Sequence, residues 1–176
     1  MTRPIPPLSA DDHVLGDAAA IVTLVEYGDY QCPYCGEAYP VLKAVQSAMG
    51  HKLRFVFRNF PLVEVHAHAL RAAQFAEAAA EAGLFWEAHD LLYENQDALD
   101  DRSLIAYGDR IGLDRALLAA AFEGRHDEKI QRDFLGGVRG GVNGTPSLFI
   151  NGRLYEGPRD AASLSQALNQ AAMLRL

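Results

Sequence analysis

The stretch Ile21-Val22-Thr23-Leu24-Val25-Glu26-Tyr27-Gly28-Asp29-Tyr30-Gln31-Cys32-Pro33-Tyr34-Cys35 decides the fold. Its first seven residues are β-branched and nearly continuous in apolar character, the pattern of a strand buried on both faces of an α/β sheet. From Pro33 onward Ala38, Val41, Leu42, Val45 and Met49 recur at helical spacing, and Gly50 supplies a stop. Two cysteines three residues apart thus stand where a strand hands over to a helix. Leu53 to Phe60 alternates strand-fashion and ends at Pro61, which completes a right-handed β-α-β unit.

Working outward, residues 1–20 carry Pro4, Pro6, Pro7, Asp11 and Asp12 without periodicity and read as an irregular lead-in lying over the domain. Beyond Pro61 the composition turns helical: Val65 to Ala82 with Gly83 as a stop, Leu84 to Gln96, Ser103 to Ile111, and Arg115 to Phe122 behind an N-cap at Asp114. His126 to Val138 adds another helix, followed by the Gly140, Gly141 and Gly144 stretch, which with Gly136 and Gly137 reads as a hinge. Ser147–Ile150 and Arg153–Glu156 flank Asn151-Gly152, a strong hairpin signal, and a last helix covers Asp160 to Met173. The expected organisation is 1–61 as the first part of an α/β domain, 62–125 as an all-helical insertion, and 126–176 as the rest.

Composition limits the chemistry. The 176 residues are long enough to bury about 70% of the unfolded surface in one core. A net charge of −7 repels phosphate backbones, which excludes nucleic acid as a partner. Nothing approaches a membrane span or the apolar core of a signal peptide, so the sequence as it stands reads cytoplasmic without stable membrane insertion. A leader removed ahead of Met1 would instead place it in the periplasm or another extracytoplasmic space.

Cys32 and Cys35 are the only cysteines. A zinc site would need two more ligands, and His66 and His68, two apart, diverge by about half a turn on a helix, so no metal is expected. Thiols at i and i+3 opening a helix gain from its unpaired N–H groups and dipole, which favour thiolate. Cys32 is the candidate nucleophile, and Cys35, one turn on, the resolving thiol. The dipole alone moves a thiol pKa by about one unit, so a larger drop needs further donors.

The Cys32-Pro33-Tyr34-Cys35 motif after Val25-Glu26-Tyr27-Gly28-Asp29-Tyr30-Gln31, the Phe85-Trp86-Glu87-Ala88-His89 stretch, and Gly144-Thr145-Pro146-Ser147-Leu148-Phe149-Ile150-Asn151-Gly152 together resemble the DsbA-like family of thioredoxin-fold thiol:disulfide oxidoreductases. The resemblance spans nearly the whole chain. It implies a thioredoxin fold, a central mixed sheet flanked by helices, with an inserted all-helical subdomain. It implies catalytic roles for Cys32, Cys35, Glu26 (a buried acid exchanging protons with Cys35) and Pro146. It further implies substrate contacts by Pro33, Tyr34 and the backbone of Thr145. Read alone, Pro146 is a trans proline opening a strand; the resemblance implies a cis bond.

The implied activity is disulfide exchange with protein thiols or disulfides through a mixed disulfide at Cys32, resolved by Cys35, as oxidase, reductase or isomerase. No cofactor is called for, and a redox partner would recycle the site. Strong oxidants of the family carry Pro-His between their cysteines. Pro33-Tyr34 brings no imidazolium, so an intermediate oxidant is expected. The alternatives are a glutathione-linked transferase or isomerase of small molecules, against which retention of both thiols argues, and a non-catalytic redox-sensing module.

Overall fold

The computed structural model describes residues 4–174. Val22–Gly28 (β2) is buried at every position, as its unbroken apolar run requires. It pairs in parallel with Leu53–Asn59 (β3), and the 17-residue helix Pro33–Met49 (α1) crosses between them. Ser147–Ile150 (β4) lies antiparallel on the other side of β2 and is followed by a two-residue strand, Arg153–Leu154 (β5). With His13–Gly16 (β1) antiparallel to β3, the order is β1-β3-β2-β4-β5, a mixed five-stranded sheet. This is the thioredoxin fold.

Helices Ala69–Glu81 (α2), Phe85–Glu94 (α3), Asp101–Ile111 (α4) and Arg115–Phe122 (α5) fill the chain between β3 and the next core helix, Asp127–Arg139 (α6); Ala161–Met173 (α7) ends the fold. Alanines make the α2 packing close. Ala72, Ala73, Ala76, Ala78 and Ala79 are all buried, so neighbouring backbones approach without bulky side chains between them. The Asp114 carboxylate caps α5 by accepting from the Ala116 and Leu117 N–H groups, as its position predicts.

Four expectations change. The lead-in contains β1, whose His13 ring stacks on Phe85 at 3.7 Å and bonds Glu77 at 2.8 Å, so tertiary partners rather than local periodicity order it. Helix α2 begins at Ala69, not Val65, because turns through residues 62–68 are tied to the chain beneath by His66 and by the His68 N–H. Gly136 and Gly137 are no hinge. They lie inside α6, where a Cβ on Gly137 would stand 2.9 Å from Phe60 and Tyr27, so close packing on the sheet accounts for them. The second hairpin strand stops at Leu154 rather than Glu156, after a turn in which Asn151 (φ 48°) and Gly152 (φ 81°) both adopt positive φ.

The N-terminal strap is held from below by a buried cation. Arg58, 4% exposed, donates to both Asp12 carboxylate oxygens (2.7 and 2.9 Å), to the carbonyls of Pro6 (2.9 Å) and Pro7 (3.1 Å), and to the Tyr27 hydroxyl (3.0 Å). Replacing it by Ala strands the Asp12 charge. Arg58→Ala is expected to cost about 3–5 kcal/mol in denaturant unfolding and to open residues 4–12 to proteolysis; an unchanged midpoint would contradict this account of the strap.

Candidate active site

The site is built at the C-terminal end of β2. Asp29 follows the strand, fully buried, and its carboxylate accepts from the Gln31 N–H (2.8 Å), the Leu62 N–H (2.9 Å) and the His66 Nδ1 (2.7 Å). Its carbonyl accepts from the Cys32 N–H at 3.1 Å. These bonds turn the chain sharply into α1. Cys32 becomes the N-cap residue in extended conformation (φ −67°, ψ 123°), with no side-chain cap bond, and Pro33 occupies the first turn, where a missing N–H costs nothing. The free N–H groups of that turn face the Cys32 sulfur.

From the helical region Gln96 reaches across. Its Nε2 donates to the Tyr30 and Cys32 carbonyls, both at 2.9 Å, and ties the cysteine loop to the segment after α3. Gly36 makes room for it, since a Cβ there would collide with the Gln96 Oε1. Gln96, Asp29 and His66 were not legible as site residues. Only the glycine directly after Cys35 hints that something must pass close by.

On the opposite wall the Thr145–Pro146 peptide bond is cis, and the Thr145 carbonyl accepts from the Cys32 Sγ at 3.5 Å. The Thr145 hydroxyl is buried without a partner. The sequence-derived residues therefore converge from three elements: Cys32, Pro33, Tyr34 and Cys35 from α1 and its cap, Glu26 from β2, and Thr145 and Pro146 from the loop before β4. Tyr34 is 64% exposed, whereas both sulfurs are buried, Cys35 completely.

The two thiols are electrostatically unlike. Hydrogen bonding from the Cys35 thiol to the Cys32 thiolate, with the Cys35 and Tyr34 N–H groups, outweighs burial and brings the Cys32 pKa from 9.0 to about 5. These are the extra donors that a helix dipole alone could not replace. Cys35 moves well above its usual value, through burial first, then through the same hydrogen bond and the Glu26 charge. Glu26 is 1% exposed, neither oxygen has a hydrogen-bond partner, and burial with the nearby Cys32 charge raises it to about 8.

Among the described residues no cluster of three or more His, Cys, Asp or Glu side chains is arranged to hold a metal ion, and no helix is long and apolar enough to cross a membrane. A dithiol at a strand-to-helix junction, faced by a cis-proline loop, places the molecule in the class of thioredoxin-fold dithiol proteins. The chain belongs to the thioredoxin family, whose family model matches residues 8–170. Its form of the fold is DsbA-like. The thioredoxin-like oxidoreductase of Silicibacter pomeroyi DSS-3 superposes with a TM-score of 0.84 at 26% identity, covering 94% of each chain. Oxidised BdbD from Bacillus subtilis gives 0.78 at 20% identity over 91% of this chain and 92% of that one. Wolbachia pipientis α-DsbA1 gives 0.81 at 18% identity, over 96% and 94%. Among curated proteins, the Na(+)/H(+) antiporter NhaA 3 of Salinispora tropica is 41% identical over 167 residues, 94% of this chain and 26% of that protein. The NhaA 1 antiporter of Mycobacterium sp. (strain KMS) is 37% identical over 96% of this chain and 28% of that protein. The chain spans about a quarter of the length of these curated relatives.

The shifted groups act oppositely on stability. Glu26, raised from 4.5 to about 8, favours the folded state while protonated, and that contribution is lost as pH rises from about 4.5 through 8. Cys32, lowered from 9.0 to about 5, contributes stability that is full above about 9 and lost as pH falls through about 5. Reduced Cys32→Ser is therefore expected to lose stability between pH 4.5 and 8, and reduced Glu26→Gln to gain it between pH 5 and 9. Denaturant unfolding at a series of pH values checks both; parallel curves for the two variants would contradict the assignment.

Proposed function

We propose that the chain is a protein thiol:disulfide oxidoreductase working through a mixed disulfide at Cys32. The observation that carries this reading is the asymmetry of the thiols, one acidic beneath a peptide-facing loop and the other buried beside a carboxyl group. In the oxidising direction a substrate thiolate attacks the Cys32 sulfur of the Cys32–Cys35 disulfide. Cys35 leaves as a thiolate and takes a proton from Glu26, which is neutral at pH 7. A second substrate thiolate attacks the substrate sulfur of the mixed disulfide and expels Cys32 as a stable thiolate, so two electrons reach the dithiol and the substrate gains a disulfide. In reverse, Cys35 passes its proton to the Glu26 carboxylate and attacks the Cys32 sulfur, releasing the substrate thiol.

Thr145 and Pro146 supply a wall against which an extended peptide can lie, with the Thr145 backbone as its hydrogen-bonding edge. Pro33 and the exposed Tyr34 flank the reacting sulfur and make contact without adding charge. A thiol pKa of about 5 falls between about 7 for thioredoxin and about 3.5 for DsbA, so a reduction potential between about −270 and −120 mV is expected. Such a site oxidises substrates in an extracytoplasmic compartment, and in a reducing cytosol runs as a reductase or isomerase.

A second reading, a redox module serving a transport protein, is favoured by the antiporter relatives of about four times this length. Sustained turnover of a peptide disulfide with glutathione separates the two: an enzyme turns over many times, a module titrates once. The direct test is Cys35→Ser expressed in cells, which is expected to accumulate mixed disulfides at Cys32 visible on non-reducing gels and identifiable by mass spectrometry. Absence of adducts with Cys32 intact would overturn the proposal.

A further inference from the structure

Glu26 is not the only buried polar group left unpartnered beneath Cys35. The Tyr93 hydroxyl, on α3, also has no hydrogen-bond partner although the residue is only 6% exposed. Its ring is held on all sides, against Tyr30 at 4.9 Å, His89 at 5.0 Å and Tyr39 at 5.4 Å, so the hydroxyl is aimed by packing rather than by a bond of its own. It points at the site: the oxygen stands 2.9 Å from where a Cβ on Gly28 would be, and Gly28 lies two residues from Glu26 on the same face of β2. Glycine at position 28 leaves room for both the Phe57 ring, 2.5 Å from that Cβ position, and this hydroxyl.

Two buried polar groups on one patch, each short of a partner, carry a joint penalty that a shared hydrogen-bond link removes. We propose that Tyr93 is a positioning residue for the redox reaction, its hydroxyl donating through one bridging water to the Glu26 carboxylate and so setting how readily Glu26 takes the Cys35 proton. A buried water needs two to four polar partners, and the two Glu26 oxygens and the Tyr93 hydroxyl supply them. The inference rests on Glu26 as the proton partner of Cys35. Because the donor favours the charged form, Tyr93 keeps the carboxylate accessible near neutral pH.

Other groups facing Glu26 are few. Helix α1 brings Cys32 and Cys35, and the turn after β2 brings Tyr30 and Asp29. The flanking strands place the uncharged Phe57 and Leu148 beside it, and α7 buries only Leu164, Leu168 and Ala172. His89, in contact with the Tyr93 ring, is brought down to about 3 by burial and stays neutral throughout the range concerned. The Tyr93 phenol itself is raised well above its usual value, by burial first and then by the Glu26 and Cys35 charges, so it remains a donor.

The test is the Glu26 titration in the oxidised protein, read by carbon-13 NMR of labelled glutamate side chains, alongside the rate of oxidation of the reduced protein by excess glutathione disulfide. Tyr93→Phe keeps the ring. It is expected to raise the Glu26 midpoint by about one pH unit, and to slow resolution of the glutathione mixed disulfide at pH 7 by about tenfold, an effect that fades above the new midpoint. In a Glu26→Gln background the same change should have no further effect, which a general loosening of the fold would not reproduce. Incorporation of 3-fluorotyrosine at position 93, a stronger donor of the same shape, should move the midpoint down. An unchanged midpoint in Tyr93→Phe, with a profile that still responds to Glu26→Gln, overturns the role of Tyr93 alone. A profile indifferent to Glu26→Gln overturns the proton role of Glu26 and the present proposal with it.

Discussion

The hydrogen bond from the Cys35 thiol to the Cys32 sulfur is the interaction on which the chemistry depends. It makes one sulfur acidic and adds to the burial that keeps the other from ionising, and it follows from Cys32 capping α1 with Cys35 one turn on. The rest of the site serves that geometry. Asp29 turns the chain off the strand, Gln96 fixes the carbonyls on the far side of the loop, and Thr145 and Pro146 close the remaining wall.

The helical region contributes more than bulk. Both Gln96 and Tyr93 come from the chain between β3 and α6; Gln96 reaches the cysteine loop across Gly36, and the Tyr93 hydroxyl lies against Gly28. Small residues at these two positions let a second layer of structure act on a strand-to-helix junction that the thioredoxin core already provides. The same device recurs at a structural position, where Gly137 lets α6 settle on Phe60 and Tyr27.

Much of this was legible in the sequence because it was local. The apolar run of β2, the helical spacing after Pro33, the Asp114 cap and the Asn-Gly turn each carry their signal within a few residues. What escaped reading was set by partners far along the chain. β1 is a strand because β3 offers an edge and Glu77 and Phe85 hold His13. Residues 65–68 leave the helical pattern because Asp29 and Gln31 claim His66 and the His68 N–H. The bonds of Gln96 span more than sixty residues and leave no periodic trace. Glu26 is the one acid in the apolar β2 run, and its burial without a hydrogen-bond partner follows from that strand being covered on both faces.

The acidity of Cys32 is the claim most open to direct measurement. Thiolate absorbance near 240 nm, followed across pH on the reduced protein with Cys35 present, is expected to show a titration centred at about 5 that the oxidised protein lacks. A single transition near the ordinary thiol value of about 8.5 would contradict the account, since the donors arrayed on Cys32 would then be doing nothing for the thiolate.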